Sequence, residues 1–508
     1  MIGELFDSFV GLFSPLRGAH RVHARQTMQK LRRRSYDAAK LDRTNSNWLT
    51  ANRSPDLELQ SDAATIRARA RDLCRNNAYA RAVVNALTRN VVGSGILPQS
   101  RIEGADELNR EAETLFSRWQ RRADITGHLT FFELQRLVYK EVIEAGECLV
   151  HFTAQDDRSR PVSLALELID ADRLAEDAQS GRPMNPDSGN EIRRGVEVNQ
   201  LGQPVAYWIY DSHPNDLNTI WATPVRRPAT EFIHLFKLDR IGQTRGVSLF
   251  APLVAWLKNL HYYMDNELQA SAVASCFTAA IKTMAGPADG GLLDTIDSDS
   301  SDTDGNTLEY LQPGMIARLM PGEEIEAINP GRPNSQAEPW IMLMLRSLAV
   351  GGGLSYERMA RDYTQTNYSS ARSSDLEDRK EFRADQAWLI AHLCEPVWQR
   401  FIESAVNEGK LSIDAQTLIE AYDDYTRHTW QCPGWEWVDP TKEVEASAVA
   451  LENNLTTLSD ELGARGRDLL ETLEQRAKEK QLLKELDLEQ APEPSNEPEE
   501  TEVAAGQE

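Results

Sequence analysis

The residues best suited to chemistry in this 508-residue chain are carboxylates. Asp170 and Asp172 stand two apart in Leu168-Ile169-Asp170-Ala171-Asp172-Arg173, at the expected end of a strand. Two carboxylates so placed can hold a divalent cation, which would suit a metal-dependent nuclease. An Asx turn or an arginine partner is the competing reading, and it outweighs the metal. A second acidic run, Asp297, Asp299, Asp302 and Asp304, lies in the Gly-, Asp- and Ser-rich stretch 285–306. It lacks the ligand spacing and the closing glutamate of a calcium loop, so a surface loop is preferred. The nine histidines are scattered, and none pairs with a nucleophile in a recognisable local motif. The motifs G-x-x-x-x-G-K-S/T, H-E-x-x-H, G-x-S-x-G and G-x-G-x-x-G are absent. No catalytic, cofactor-binding or metal-ligating residue is assigned, and no cofactor is expected.

Helices and strands in alternation must position these groups. Ile66, Leu73, Ala80, Val84, Leu87 and Val91 recur near helical spacing and predict a helix over 62–92, ended by Gly93-Ser94-Gly95. Leu108, Ala112, Leu115, Phe116 and Trp119 mark a second helix over 105–122. A third begins at Thr130, where Thr130 and Glu133 make a capping box. Strands are predicted at 148–153, 163–169 and 231–238, with a hairpin joining 195–198 to 205–210 through Asn199-Gln200-Leu201-Gly202. One long helix is expected over 252–284, its second half built of small residues at 270–276, and strand returns over 310–328. The class is α+β, predominantly helical.

The stretch 340–401 organises the rest. An apolar helical run, Trp340, Ile341, Leu343, Met344, Leu345 and Leu348, breaks at Gly351-Gly352-Gly353. Each glycine costs a helix interior roughly 1 kcal/mol relative to alanine, so the triplet breaks the helix. It reads either as a hinge carrying a projecting loop or as an ordinary helix-loop-helix in a core, the latter favoured on pattern alone. A polar segment, 361–368, follows, and then a long charged helix over 369–405 that Pro396 should kink. Residues 442–488 are helical again, with Val444, Ala448, Leu451, Leu455 and Leu458 spaced as a short heptad seam.

Composition narrows the partners. A net charge of −24 opposes phosphate gripping over the whole surface but suits a surface past which DNA slides. Residues 17–43 are the exception, with Arg17, Arg21, Arg25, Lys30, Arg32, Arg33, Arg34, Lys40 and Arg43. They read either as an arm that orders on a partner or as a solvated tail. Five scattered cysteines, none in a C-x-x-C pair, predict reduced thiols in a cytoplasm. No stretch reaches the ~20 apolar residues that span a bilayer, and the first residues do not make a signal peptide. From Glu485 onward nine acidic residues and no basic ones predict a disordered tail.

Several pieces occur together in one order. They are Arg71-Asp72-Leu73-Cys74-Arg75-Asn76-Asn77-Ala78-Tyr79-Ala80 with Asn90-Val91-Val92-Gly93-Ser94-Gly95-Ile96, then Ile169-Asp170-Ala171-Asp172-Arg173-Leu174. Ile233-His234-Leu235-Phe236 with Gly242-Gln243-Thr244-Arg245-Gly246-Val247 follows, and then Leu311-Gln312-Pro313-Gly314 with Pro321-Gly322-Glu323-Glu324. Asn367-Tyr368-Ser369-Ser370-Ala371-Arg372 and Trp435-Glu436-Trp437-Val438-Asp439-Pro440 complete the set. In this the chain resembles the lambda-like portal proteins of tailed bacteriophages over about 60–470. It departs from them at Ala78, where the family has a proline, and at Gly352-Gly353-Leu354, where it has Leu-Gly-Leu.

The resemblance implies a portal fold of wing, stem, clip and crown, and a closed ring of about twelve copies with an axial channel. Double-stranded DNA would thread that channel without regard to sequence during packaging and ejection. Implied partners are the terminase large subunit, the major capsid and scaffolding proteins, and head-completion and tail connector proteins, with no membrane. The ring would be assembled in the host bacterial cytoplasm and would sit at the portal vertex of the virion. The anatomy then maps as a basic arm over 1–60, a wing over 61–250, a stem helix over 251–284 and a clip over 285–335. A second stem helix and hinge cover 336–360, a tunnel loop 361–368, the long helix and wing 369–441, a helical crown 442–488 and an acidic tail 489–508. Arg361, Thr364, Gln365, Thr366, Asn367 and Lys380 are the expected DNA-facing residues. Asp297, Asp299, Asp302 and Asp304 are expected to face terminase. The competing functions are a metal-dependent nuclease and another virion or membrane-associated scaffold using the basic N-terminus.

Overall fold

The structure, a computed structural model, describes residues 52–155, 160–176, 185, 187–216, 223–276, 280–283, 323–326, 336–435 and 440–488. Met1–Ser54 and Pro55–Glu508 are separate compact units, and all the described helices and strands belong to the second. The basic arm, the acidic run 297–304 and the tail beyond 488 lie outside the described residues.

The chain enters through a short helix α1 (Pro55–Leu59), then α2 (Ala63–Asn76) and α3 (Ala78–Val91). One helix was expected here, but Asn77 splits it. Its extended backbone ends α2, and its side chain accepts the Tyr79 and Ala80 N–H groups, capping α3. Strand β1 (Leu97–Ser100) and α4 (Asp106–Trp119) lead to α5 (Phe131–Glu144), which carries the predicted capping box: Thr130 Oγ1 accepts the Glu133 N–H while Glu133 accepts the Thr130 N–H.

Two small antiparallel sheets follow. In the first, β2 (Glu147–Ala154) lies between β3 (Leu164–Ile169) and the later strand β8. The second runs β4 (Glu191–Arg193), β5 (Val196–Val198), β6 (Pro204–Ile209), β7 (Val225–Pro228), and its β5–β6 hairpin is the predicted one with a register shift at Glu197/Val198. Strand β8 (Phe232–Phe236) then returns to the first sheet.

The helix expected over 252–284 is shorter. As α6 it runs Val254–Cys276, and Ala280–Thr283 is already strand β9, paired antiparallel with β10 (Glu323–Glu326). Helix α7 (Ala337–Gly351) packs beside α6, with Tyr263 and Trp340 rings 4.4 Å apart. After α8 (Tyr356–Ala360) comes α9 (Tyr368–Leu389), which passes through a π-helical turn, Ile390–Cys394, into α10 (Glu395–Asn407). Pro396 at the start of α10 has no N–H to give the preceding turn, and the wider turn just before it is how the helix absorbs that loss.

Helices α11 (Ala415–Glu420) and α12 (Tyr422–Tyr425) precede β11 (His428–Gln431), which pairs with β1. The last described elements are α13 (Pro440–Glu452), α14 (Leu458–Gly463) and α15 (Leu469–Glu485). The heptad seam expected over 444–458 is therefore cut, because Asn454 adopts a left-handed backbone and α14 starts afresh with a Thr457–Asp460 capping box. None of the described residues of these three helices is buried.

The main core joins α3, α4, α5, α9 and α10 to the first sheet. At its centre Phe116 meets Phe401 edge-on at 5.1 Å and Trp119 lies 5.2 Å from Phe401. Both buried indoles satisfy their N–H, Trp119 on the Leu164 carbonyl and Trp398 on that of Thr426. Across this body runs α9, where Gln386 Nε2 donates to the Val91 carbonyl at 3.1 Å. The body thus anchors α9, in front of which the glycine triplet lies.

Candidate functional site

Asp170 and Asp172 are taken up by arginines. Asp170 accepts the Asp172 N–H at 3.0 Å, an Asx turn, and meets Arg71 Nη2 at 2.6 Å. Asp172 accepts from Arg67 Nε at 2.8 Å and from Arg71 Nη1. Burial disfavours the charged form of Asp172, but the two guanidiniums outweigh it and hold the carboxyl below its usual range. His213 Nε2 lies 3.7 Å away, so Asp170, Asp172 and His213 are close enough to share a cation. Two positive partners already neutralise the carboxylates, which weakens the nuclease reading and supports the turn and the arginine partner together.

Behind this pair lies a larger ionic junction with no signature in the sequence. Glu147, fully buried at the start of β2, accepts Arg245 Nε at 2.8 Å and the Gly246 N–H at 3.0 Å, and contacts His234 Nε2 at 3.0 Å. Burial alone would raise its carboxyl, yet Arg245 and His234 hold it well below the ordinary value. Glu176 Oε1 meets three guanidiniums: Arg67 at 3.1 Å, Arg194 at 2.8 Å and Arg245 at 2.9 Å. Arg194 reaches it from the two-residue β4–β5 turn, where Arg194 takes φ +50° and Gly195 φ +85°. At Gly246 any Cβ would strike the Gly146 carbonyl, so glycine is required for the Arg245 segment to lie against the start of β2. Only Arg245 and His234 fall in pieces that carry the resemblance. The others look like surface charges because nothing within a few positions pairs with them: Arg194 and Glu176 are 18 apart, and Arg67 and Glu147 find partners about a hundred positions away.

The glycine triplet, the expected hinge, lies in front of α9. Gly351 still belongs to α7, Gly352 caps it by donating to the Leu348 carbonyl at 2.9 Å, and Gly353 turns the chain at φ +68°. The break is thus made by the second and third glycines. Beyond it the chain is fastened at once to α9. Ser355 donates its N–H and Oγ to the buried Asp378 carboxylate at 2.9 and 2.7 Å. Arg358 reaches Asp378 at 3.0 Å, pairs with Asp375, and lies 5.2 Å over the Phe382 ring.

The polar loop is ordered by its own side chains. Arg361 ends α8 in a left-handed conformation, φ +54°. Asp362 accepts the Thr364 N–H and Oγ1 and the Tyr356 hydroxyl, and the Thr364 bonds first among these hold its carboxyl below the usual range. Thr366 Oγ1 donates to Glu357, and Asn367 caps α9 by accepting the Ser370 N–H at 2.8 Å. Arg361, Thr364, Gln365 and Asn367 are exposed, and Thr366 is half-buried. Lys380 stands apart from them. It is twelve residues past Tyr368, on the surface of α9, where its Nζ is bound to Glu377 at 2.6 Å. Asp297, Asp299, Asp302 and Asp304 lie outside the described residues.

Residues 41–386, which take in the junction, the hinge and the loop, match the family described as phage portal protein, lambda family. The probable portal protein of Halomonas phage phiHAP-1 is 30% identical over 454 residues, covering 86% of this chain and 84% of that one. Portal protein B of Escherichia phage lambda is 24% identical over 474 residues, covering 85% and 86%. Among solved structures, the neck of a native GTA particle computed with C12 symmetry aligns at a TM-score of 0.42 and 12% identity, over 80% of this chain and 94% of that one. The match over most of the chain and the relative at 30% identity carry the conclusion: this chain belongs to the lambda family of phage portal proteins.

Proposed function

We propose that copies of this chain close head-to-tail into a ring of about twelve, through whose channel double-stranded DNA is packaged and later ejected. The observation that carries the assembly is the α6–α7 pair. Trp256, Tyr262 and Leu268 on α6, and Leu343 and Val350 on α7, stand exposed, Val350 at 81% and Leu268 at 71%. Large apolar side chains left in water on both helices of one pair need neighbours, and a closed ring covers both flanks of every copy.

The acidic balance of the chain supports weak contact with the translocating polyanion. In the loop, Arg361 offers one cation while Thr364, Gln365, Thr366 and Asn367 offer neutral polar groups, so phosphates can pass without being gripped. With its charge given to Glu377, Lys380 is a weaker contributor. The segment 285–335, with Asp297, Asp299, Asp302 and Asp304, is the proposed face for the terminase large subunit. Capsid, scaffolding, head-completion and tail connector proteins are the remaining proposed partners, with assembly in the host bacterial cytoplasm. The role is structural and not catalytic.

Negative-stain images and native mass spectrometry of the purified protein test this reading. Closed rings with a central hole are expected. Leu268→Asp combined with Leu343→Asp should return monomers. Wild-type protein that stays monomeric or forms filaments would overturn it.

A further inference from the structure

Between the hinge and the body lies a cavity of about 340 Å³. That is at the lower end of the roughly 300–1,000 Å³ of small-molecule sites. Its inner wall is apolar, with Leu87 of α3, Val142 and Ile143 of α5, and Leu249. Its outer wall is the triplet Gly351, Gly352 and Gly353, where a Cβ at Gly353 would meet nothing within 4 Å while one at Gly351 would strike Leu253.

The mouth is charged. Lys237, Asp239, Glu381 and Asp385 line it. Lys237 Nζ is bound to Asp385 at 2.5 Å, and the Tyr139 hydroxyl donates to the other Asp385 oxygen. That pair is closed on itself. Asp239 and Glu381 are exposed, and no described residue pairs with either carboxylate. The cavity therefore has an apolar interior and two unpaired negative charges at its entrance.

We propose that it binds a small organic cation, with an apolar body against Leu87, Val142 and Ile143 and an ammonium group between Asp239 and Glu381. An apolar interior alone would accept any small hydrocarbon, and the carboxylates alone any cation. Only an amphipathic amine uses both. Because the bound molecule touches the glycine triplet on one side and α9 on the other, it holds the hinge in its present position. The site lies within one copy, so it does not depend on the ring.

Hexylamine is the probe, with hexanol and hexanoate as controls, titrated into the full-length protein by calorimetry at neutral pH. Saturable binding of hexylamine is expected, at least tenfold tighter than hexanol, with no binding of hexanoate. D239N/E381Q, which changes two exposed side chains, should lose at least tenfold in hexylamine affinity and leave hexanol unchanged. Amide exchange at 352–355 should slow when hexylamine is bound. Hexanol binding as tightly as hexylamine, or undiminished hexylamine binding in D239N/E381Q, overturns the proposal. Unchanged exchange at 352–355 overturns the placement at the hinge.

Discussion

The ionic junction and the polar loop both fix polar groups in place, by opposite means. In the junction, bonds join residues from 18 positions apart, Arg194 to Glu176, to 105 apart, Arg67 to Asp172, and Arg245 and Glu147, 98 apart, are both at 0% exposure. In the loop, each hydrogen bond of Asp362, Thr366 and Asn367 spans nine residues or fewer, and every participant is exposed or half-buried. Long-range buried bonds tie α2, both sheets and the 240–246 segment into one body. Short-range exposed bonds shape a loop without tying it to that body. The portal protein thus has a stiff part and, a few residues past a glycine turn, a part free to shift without unfolding the rest.

The sharpest way to break this contrast is at Glu147. Glu147→Gln keeps the shape and removes the charge, leaving three buried guanidiniums, Arg67, Arg194 and Arg245, to share the single carboxylate of Glu176. Breaking a buried pair from one side costs about 3–5 kcal/mol. Denaturant unfolding should show a loss of that size. A loss below about 1 kcal/mol would mean the junction is not what holds these segments together.

Glu197, buried in β5, sharpens the same point by pH. It accepts from Arg226, Asn190, Asn185 and Ser188. The Arg226 bond first, and then the two amides and the hydroxyl, against an opposing burial effect, lower its pKa from 4.5 to about 2. A depressed carboxylate contributes stability that is complete above the unfolded value of about 4.3 and is lost as pH falls toward the folded one. Stability should therefore decline from about pH 4.5 down to about 2. With Arg226 half-exposed, the contribution is held to about 1–2 kcal/mol. In Glu197→Gln the acid-side decline should be shallower by that amount, and an identical slope would show the carboxylate to be uninvolved.

Local features were readable from the sequence, and this is the same contrast seen from the other side. The Thr130–Glu133 capping box, the 199–202 hairpin and the glycine turn depend on neighbours within a few positions. Asn77 escaped because apolar spacing continues through it, while its side chain caps α3. The family's proline falls at Ala78, the first residue of α3, where a missing N–H costs nothing. The end of α6 at Cys276 escaped because apolar residues, Phe277, Ala279, Ala280 and Ile281, continue past it in the sequence with no glycine or proline stop. Asn453 and Asn454 were the overlooked stop inside the heptad seam. The junction could not be read at all. Arg67, Arg194 and Glu176 are ordinary surface types until the fold brings three guanidiniums onto one oxygen.

The smallest effect should come from the loop. Asp362→Ala removes the acceptor that holds Thr364 and Tyr356, all at or near the surface. Exposed substitutions of this kind stay within about 0.5 kcal/mol, so global unfolding should hardly move. Locally the change should be plain. The Thr364 amide, now without its Asp362 acceptor, should exchange much faster, while the Ser355 amide on Asp378 keeps its protection. If Ser355 is freed together with Thr364, loop and hinge form one cooperative unit and the boundary drawn between stiff and movable parts falls too late in the chain. If neither changes, the Asp362 bonds do not shape the loop.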